Sequence, residues 1–394
     1  MIQLEKKAIQ WIEEYIVVLF LVIVSALGLL VRKSVFDFVS LDALGYLLDW
    51  YAEIDALGGV KALSTQVGNY NVLYQLLVVI MTYLPIEPLH ACKVFPVLFD
   101  YLLGIAGGEL AVLLICNDNS EKRKKQLTFA LTYAIIILSP IVSLNSGAWG
   151  QCDSIYTFFL VAGLVCLVKE KNIAAFVFFG FSFAAKLQMV FVLPFLIMLY
   201  FLEKKFSILH FLIIPLVAFL VSLPAVIARK DIWIFLEVYL GQTKEFELMS
   251  MNIPNLWVLA GGDFSYMQHF AILLTIGILG TALFYMMMKK HSLAATISKV
   301  ELACWSVWTC AMFLPAMHER YAYVAEILFL VLVVYNLRRY GLICFVAQMA
   351  TIMTYGSYLW GNAINHQFIG ICYVLAYCGY TYIVFNRKKE DGNE

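Results

Sequence analysis

Four short stretches set reactive side chains into a chain that is otherwise strongly apolar. "SLDALGYLLDWYAEI" (40–54) carries Asp42, Asp49 and Glu53, and "SLNSGAWGQCDSIY" (143–156) carries Asn145, Gln151 and Asp153. "FAAKLQMVF" (183–191) places Lys186 and Gln188 between apolar runs, and "LPAMHERYAYV" (314–324) joins His318, Glu319 and Arg320. A carboxylate can take a proton from a hydroxyl. A guanidinium fork matches phosphate oxygens, and an imidazole can donate a hydrogen bond or a proton. Together these groups suit a reaction in which a hydroxyl loses its proton to a carboxylate while a phosphate leaves.

Each stretch also has a plainer reading. Acids on one face of an interface helix can be a solvated surface. Trp149 among small residues can be an interfacial tryptophan in a tight turn. Lys186 can snorkel to the membrane boundary, and Glu319–Arg320 can cap a helix end. What favours chemistry is that all four stretches fall on one side of the membrane in the topology the sequence implies.

That topology follows from hydropathy and charge. The 394 residues are 63% hydrophobic and 14% charged, more apolar surface than a soluble domain can hide. The formal net charge is zero, which gives no case for nucleic acid. The nine cysteines show no CxxC pair and no metal spacing, so no disulfide framework is expected. About twelve apolar segments read as spans: 15–31, 93–115, 127–143, 154–168, 173–185, 189–202, 206–226, 267–288, 300–315, 321–336, 341–359 and 367–385. The first is read as a retained anchor, since more spans follow and no small-residue cleavage site stands out.

Most of the 27 Lys and Arg cluster in alternate connections: Lys6, Lys7, the run 122–125, Lys169, Lys171, Lys204, Lys205, Lys289, Lys290, Lys299, Arg338, Arg339 and 387–389. The positive-inside rule puts these, and both termini, in the cytoplasm. Outside lie a first long loop (about 32–92), a second (about 227–266) and the polar turns 144–153, 186–188, 316–320 and 360–366. Residues 70–86 are read as an outer helix lying on the membrane, because a crossing there would turn "EKRKK" outward. Residues 173–202 are read as two short helices meeting near Lys186. The chain reads as a single integral membrane domain, all-α and polytopic, covering 1–394. Leu44, Leu47, Leu48 and Tyr51 are expected on one face of an interface helix, with Asp42, Asp49 and Glu53 opposite. Gly104 and Gly108 in "GIAGG" are expected at a helix–helix contact.

The stretches "SLDALGYLLDWY", "GNYNVLY", "NSGAWGQCDSIY", "KLQMVFVLPF" and "MHERYAYV" resemble those of membrane glycosyltransferases of the GT-C fold. The likeness is strongest to bacterial relatives of the mannosyltransferase that adds the second mannose of the GPI anchor. It spans residues 40 to 324, and the order and spacing of the pieces carry it. One departure is Asp49-Trp50, where the family pattern has a proline before the tryptophan.

The resemblance implies a bundle of about twelve transmembrane helices with interface helices in the first outer loop. It implies a polyprenyl- or dolichyl-phosphate sugar as donor and a glycan, glycolipid or polymer hydroxyl as acceptor. The transfer inverts the sugar, with Asp42 as base. Arg320, His318 and Lys186 would hold the donor phosphate. Gln151 and Asp153 would line the sugar or acceptor side, with Asn69 and Tyr70 beside them. No DxD arrangement stands on that side, and neither an obligatory metal nor a cofactor is expected. The implied setting is a bacterial cell membrane with catalysis on the external face; mannose is the sugar the resemblance favours, with glucose and galactose as alternatives. A polytopic transporter or lipid flippase is the competing reading, since it too places polar groups inside a bundle.

Overall fold

The computed structural model describes residues 2–117, 119–229, 231–242, 245–289 and 293–386, so the basic-loop assignments of Lys290, Arg387, Lys388 and Lys389 lie outside the described residues. In hydrocarbon a backbone must satisfy its own hydrogen bonds, and the apolar runs accordingly form helices. Helix α1 (Gln3–Ser34) leads through an extended turn into a π-helical turn (Ala43–Leu47) and α2 (Leu48–Ala56). A 3-10 turn (Gly59–Ser64) and α3 (Val72–Thr82) follow. Next come α4 (Pro88–Ile115), α5 (Lys122–Leu138), the one-turn α6 (Pro140–Ser143) and a second π-helical turn (Leu144–Trp149). Then α7 (Asp153–Val168), α8 (Asn172–Ala185), a 3-10 turn (Leu187–Val192), α9 (Leu193–Glu203) and α10 (Ile213–Arg229) run in succession. The second long connection is partly ordered by α11 (Ile234–Gln242), strand β1 (Ser250–Met251) and α12 (Leu256–Ala260). The chain ends with α13 (Phe264–Met288), α14 (Thr296–Phe313), strand β2 (Met317–His318), α15 (Tyr323–Tyr335), α16 (Leu337–Trp360) and α17 (His366–Phe385).

Among the described residues six helices are long and apolar enough to cross a bilayer: α1, α4, the run 208–229 that ends as α10, α13, α16 and α17. A seventh span arises if α5 and the segment 140–149 are one helix bent by 50°. The protein is therefore an all-α polytopic membrane protein. The other apolar segments are shorter; α15, for example, has 13 residues and α8 has 14. Length alone does not make them spans, since a core of about 30 Å needs about 20 helical residues. With 11 residues, α3 reaches only about 16 Å.

Close helix contacts rest on small residues. A Cβ on Gly104 of α4 would fall 2.9 Å from the Tyr133 ring of α5, and one on Gly108 would fall 2.7 Å from Phe129. Gly28 of α1 meets Ile137 in the same way, at 2.4 Å. From this pair the packing passes from α4 to α7, α7 to α8 and α8 to α10, while α15 lies buried among α14, α16 and α4.

The helix ends separate two polar zones. Ion pairs Lys169–Glu109 (3.4 Å) and Lys205–Glu170 (2.6 Å) tie the C-terminal end of α7 to α4 and to the turn after α9. Asp153 opens the same α7, sixteen residues and about 24 Å away.

The first interface helix departs from its expected register. Buried positions are Ala43, Leu47, Tyr51 and Ile54, whereas Leu44 is exposed and Leu48 only half-buried. The cause is the π turn at 43–47. Its extra residue per turn rotates what precedes it relative to α2. Asp42 is thereby taken off the face of Asp49 and Glu53, which stay exposed, and turned inward.

Candidate active site

Asp42 is placed by contacts on both sides of its turn. The Ser40 hydroxyl donates to the Trp149 carbonyl (2.9 Å) and accepts the Ala43 amide (3.1 Å), locking the first π turn to the second. The Lys93 ammonium donates to the carbonyls of Phe36 and Phe38, each at 2.7 Å, and fixes the chain between α1 and Asp42. Asp42 Oδ2 then accepts Trp149 Nε1 (2.9 Å) and Gln151 Nε2 (2.5 Å), and Oδ1 accepts the Tyr358 hydroxyl. Trp149 stacks on Tyr358 with ring centroids 4.7 Å apart. Both carboxylate oxygens are thus oriented, yet the side chain keeps 14% exposure, enough to meet a ligand.

Arg320 stands across from this carboxylate. Its guanidinium lies 3.8 Å from Asp42 Oδ2 and 3.9 Å from Asp153 Oδ2, beyond hydrogen-bond length in both cases. It sits over the rings of Trp149 (5.6 Å) and Tyr321 (5.7 Å). Its Nε and Nη1 are buried and have no hydrogen-bond partner among the described residues. Helix α8 ends at Ala185, and the extended backbone at Lys186 turns that side chain inward. Lys186 is buried, so it does not snorkel. It forms an ion pair with Asp153, and its ammonium faces the rings of Tyr70, Tyr156 and Tyr321 at 5.6–5.9 Å.

Asp153 was expected to line the sugar or acceptor side, and there the geometry differs. Its side chain is fully buried behind Lys186 and also accepts Asn145 Nδ2 at 2.9 Å. An uncompensated carboxylate cannot be held in such a place, and the lysine is what makes the burial tolerable. Asp153 is a counter-ion to Lys186.

His318 sits on β2, whose Met317 and His318 pair in parallel register with Ser250 and Met251 of β1. Its ring packs on Phe246 (5.0 Å) and Tyr321 (5.1 Å), and Nδ1 is 3.8 Å from Glu319 Oε2. Burial, only partly offset by the Glu319 carboxylate, holds its pKa below the ordinary 6.5. At neutral pH the imidazole is uncharged, which leaves Arg320 and Lys186 as the cations. The Tyr70 hydroxyl donates to Gln151 Oε1 (3.0 Å), and Asn69 Nδ2 donates to both oxygens of Glu245 (2.6 and 2.7 Å).

These groups surround one cavity of about 220 Å³ whose wall includes Asp42, Asn69, Tyr70, Gln151, Lys186, His318 and Arg320. Residues 42 and 320 therefore share a pocket at one end of the bundle. Among the described residues no three His, Cys, Asp or Glu side chains gather into a metal-binding group. Trp149, Tyr358, Tyr321 and Glu245 belong to the site although the motifs did not single them out as site residues. Tyr321 adjoins Arg320, and Trp149 lies within a motif, so adjacency could have found both. Tyr358 is 316 residues from Asp42, and no local pattern marks it.

No protein-family model matches the chain, and no curated protein matches it.

Proposed function

We propose that the protein is an inverting hexosyltransferase of the GT-C kind. It moves one sugar, with mannose indicated by the resemblance, from a polyprenyl- or dolichyl-phosphate to an acceptor hydroxyl. The observation that carries this reading is the convergence of Asp42 and Arg320 on one cavity, with Arg320 retaining buried Nε and Nη1 donors that have no hydrogen-bond partner among the described residues. In the reaction the acceptor oxygen attacks the anomeric carbon as Asp42 takes its proton, and the bond from that carbon to the phosphate oxygen breaks. The leaving lipid phosphate gathers negative charge, which Arg320 and Lys186 stabilise. His318 donates a hydrogen bond as a neutral imidazole. One displacement with one base inverts the anomeric centre, the single-displacement logic also used by inverting glycosidases.

The membrane setting belongs to the same proposal. Twelve spans, both termini in the cytoplasm and the cavity on the outer face of a bacterial cell membrane fit the pair of polar zones, one rich in lysine and the other holding the cavity. The test is incubation of the purified chain with labelled polyprenyl-phosphate mannose or glucose and a panel of glycan and glycolipid acceptors. Free polyprenyl phosphate should appear in step with a product of inverted anomeric configuration. Passage of substrate across a liposome with no bond cleaved would instead establish the transporter or flippase reading.

A further inference from the structure

Most polar atoms in the cavity wall are already engaged. Asp42 holds three donors, Gln151 is bonded at both ends of its carboxamide, and Lys186 is paired with Asp153. Among the described residues, the buried exceptions in the wall are Arg320 Nε and Nη1, Gln188 Oε1 and Asn69 Oδ1. Burying a polar atom with no partner is unfavourable, and where such an atom also faces a cavity a ligand can supply the partner. They divide by chemistry. The guanidinium nitrogens can only donate, which suits anionic oxygens. The two carboxamide oxygens can only accept, which suits hydroxyl groups.

The two carboxamides sit differently in the wall. Gln188 lies two residues beyond Lys186 on the 3-10 turn after α8, with 8% exposure, so its oxygen has little access to solvent. Asn69 has its nitrogen bound to both oxygens of Glu245, which sets the direction of its oxygen. Glu245 itself lines the wall and disfavours a second negative charge on that side. The rings of Trp50 and Tyr70, 5.3 Å apart at the same wall, offer apolar faces to the carbon-bound hydrogens of a sugar.

Resting on the glycosyl-transfer reading, we infer that Gln188 and Asn69 determine donor-sugar specificity. Each accepts a hydrogen bond from a different hydroxyl of the transferred sugar, and the sugar is a neutral hexose with both of those hydroxyls unsubstituted.

The experiment uses the full chain in detergent with polyprenyl-phosphate mannose, the glucose counterpart, and single-position deoxy analogues of whichever is turned over. The wild type should lose at least about tenfold in kcat/KM on two of the deoxy donors. In Gln188→Leu, kcat/KM on the parent should fall by a similar factor while that on one deoxy donor is unchanged, so discrimination at that position vanishes. Gln188→Met, close in length but lacking an acceptor oxygen, should lose it as well. Asn69→Ala should remove discrimination at the other position. A flat deoxy series in an enzyme that turns over the parent overturns this inference alone, as does an equal loss on parent and analogue in Gln188→Leu. If no lipid-phosphate sugar is cleaved at all, the transferase reading falls with it. Should Gln188→Leu fail to fold, the wild-type series and Gln188→Met decide the matter.

Discussion

Two buried arginines face two aspartates in this protein, and they are used in opposite ways. Arg32, at the end of α1, bonds Asp100 at 2.7 Å and also donates to the carbonyls of Gly28 (2.9 Å) and Ile137 (3.1 Å). Ser146, inside the second π turn, completes the cluster by donating to Asp100 at 2.5 Å. Both partners of that ion pair have 0% exposure, so no ligand can reach them. Arg320 keeps 3.8 Å from Asp42 and donates no hydrogen bond among the described residues. The first pair directs its donors at the protein and ties α1, α4, α5 and the Trp149 turn together. The second leaves its donors open to a cavity. Residue type and burial are alike; Arg32 gives three hydrogen bonds to the protein, leaves only Nη2 without a partner among the described residues and has no place in the cavity wall, whereas Arg320 gives none and lines the cavity.

This contrast can be broken by experiment. The largest effect is expected at the carboxylates. Asp42→Asn should lower kcat for sugar transfer by about 10²–10⁴ while the unfolding temperature stays that of the wild type. Asp100→Asn should do the reverse, lowering the unfolding temperature while the folded fraction keeps its kcat; equal behaviour of the two variants in both assays would erase the distinction. Next come the arginines. Arg32→Leu leaves Asp100 buried and uncompensated, at a cost of about 3–5 kcal/mol that denaturant or thermal unfolding in detergent will read. Arg320→Leu should spare stability and raise KM for the lipid-phosphate donor more than KM for the acceptor. The smallest effect sharpens the picture at His318. Because burial depresses its pKa, the unfolded chain binds the extra proton more readily, and stability is lost as pH falls through the ordinary value of 6.5. His318→Gln should flatten that part of an unfolding profile taken from pH 8 to pH 5.

The sequence exposed the polar half of the site and concealed the aromatic half. Asp42, Lys186 and Arg320 were legible because a charge amid apolar residues is conspicuous and has to be accounted for. Tyr358 was not, being one of 23 tyrosines and carrying no sign that it reaches Asp42. Asp153 was visible as an acid, but spacing does not distinguish a carboxylate facing a cavity from one facing a lysine behind it. The register of 42–54 was misread because a π turn has no strong sequence signature, and ideal helical spacing then puts Leu44 on the wrong side. Membrane insertion followed directly from hydropathy. The number of crossings is not fixed by hydropathy alone, because segments such as α15, with 13 residues, fall short of the roughly 20 a bilayer core needs.

The two π-helical turns, at 43–47 and 144–149, flank the carboxylate and its tryptophan donor. Each amounts to one amino acid inserted into an otherwise regular coil. Deleting Gly45, or Gly147, would let the local backbone relax to ordinary α geometry and swing the preceding side chains by about 100°. Asp42 in the one case, and the Ser146–Asp100 contact in the other, would be carried out of place. Shortening either turn by a single codon should therefore yield a more regular helix and a silent protein.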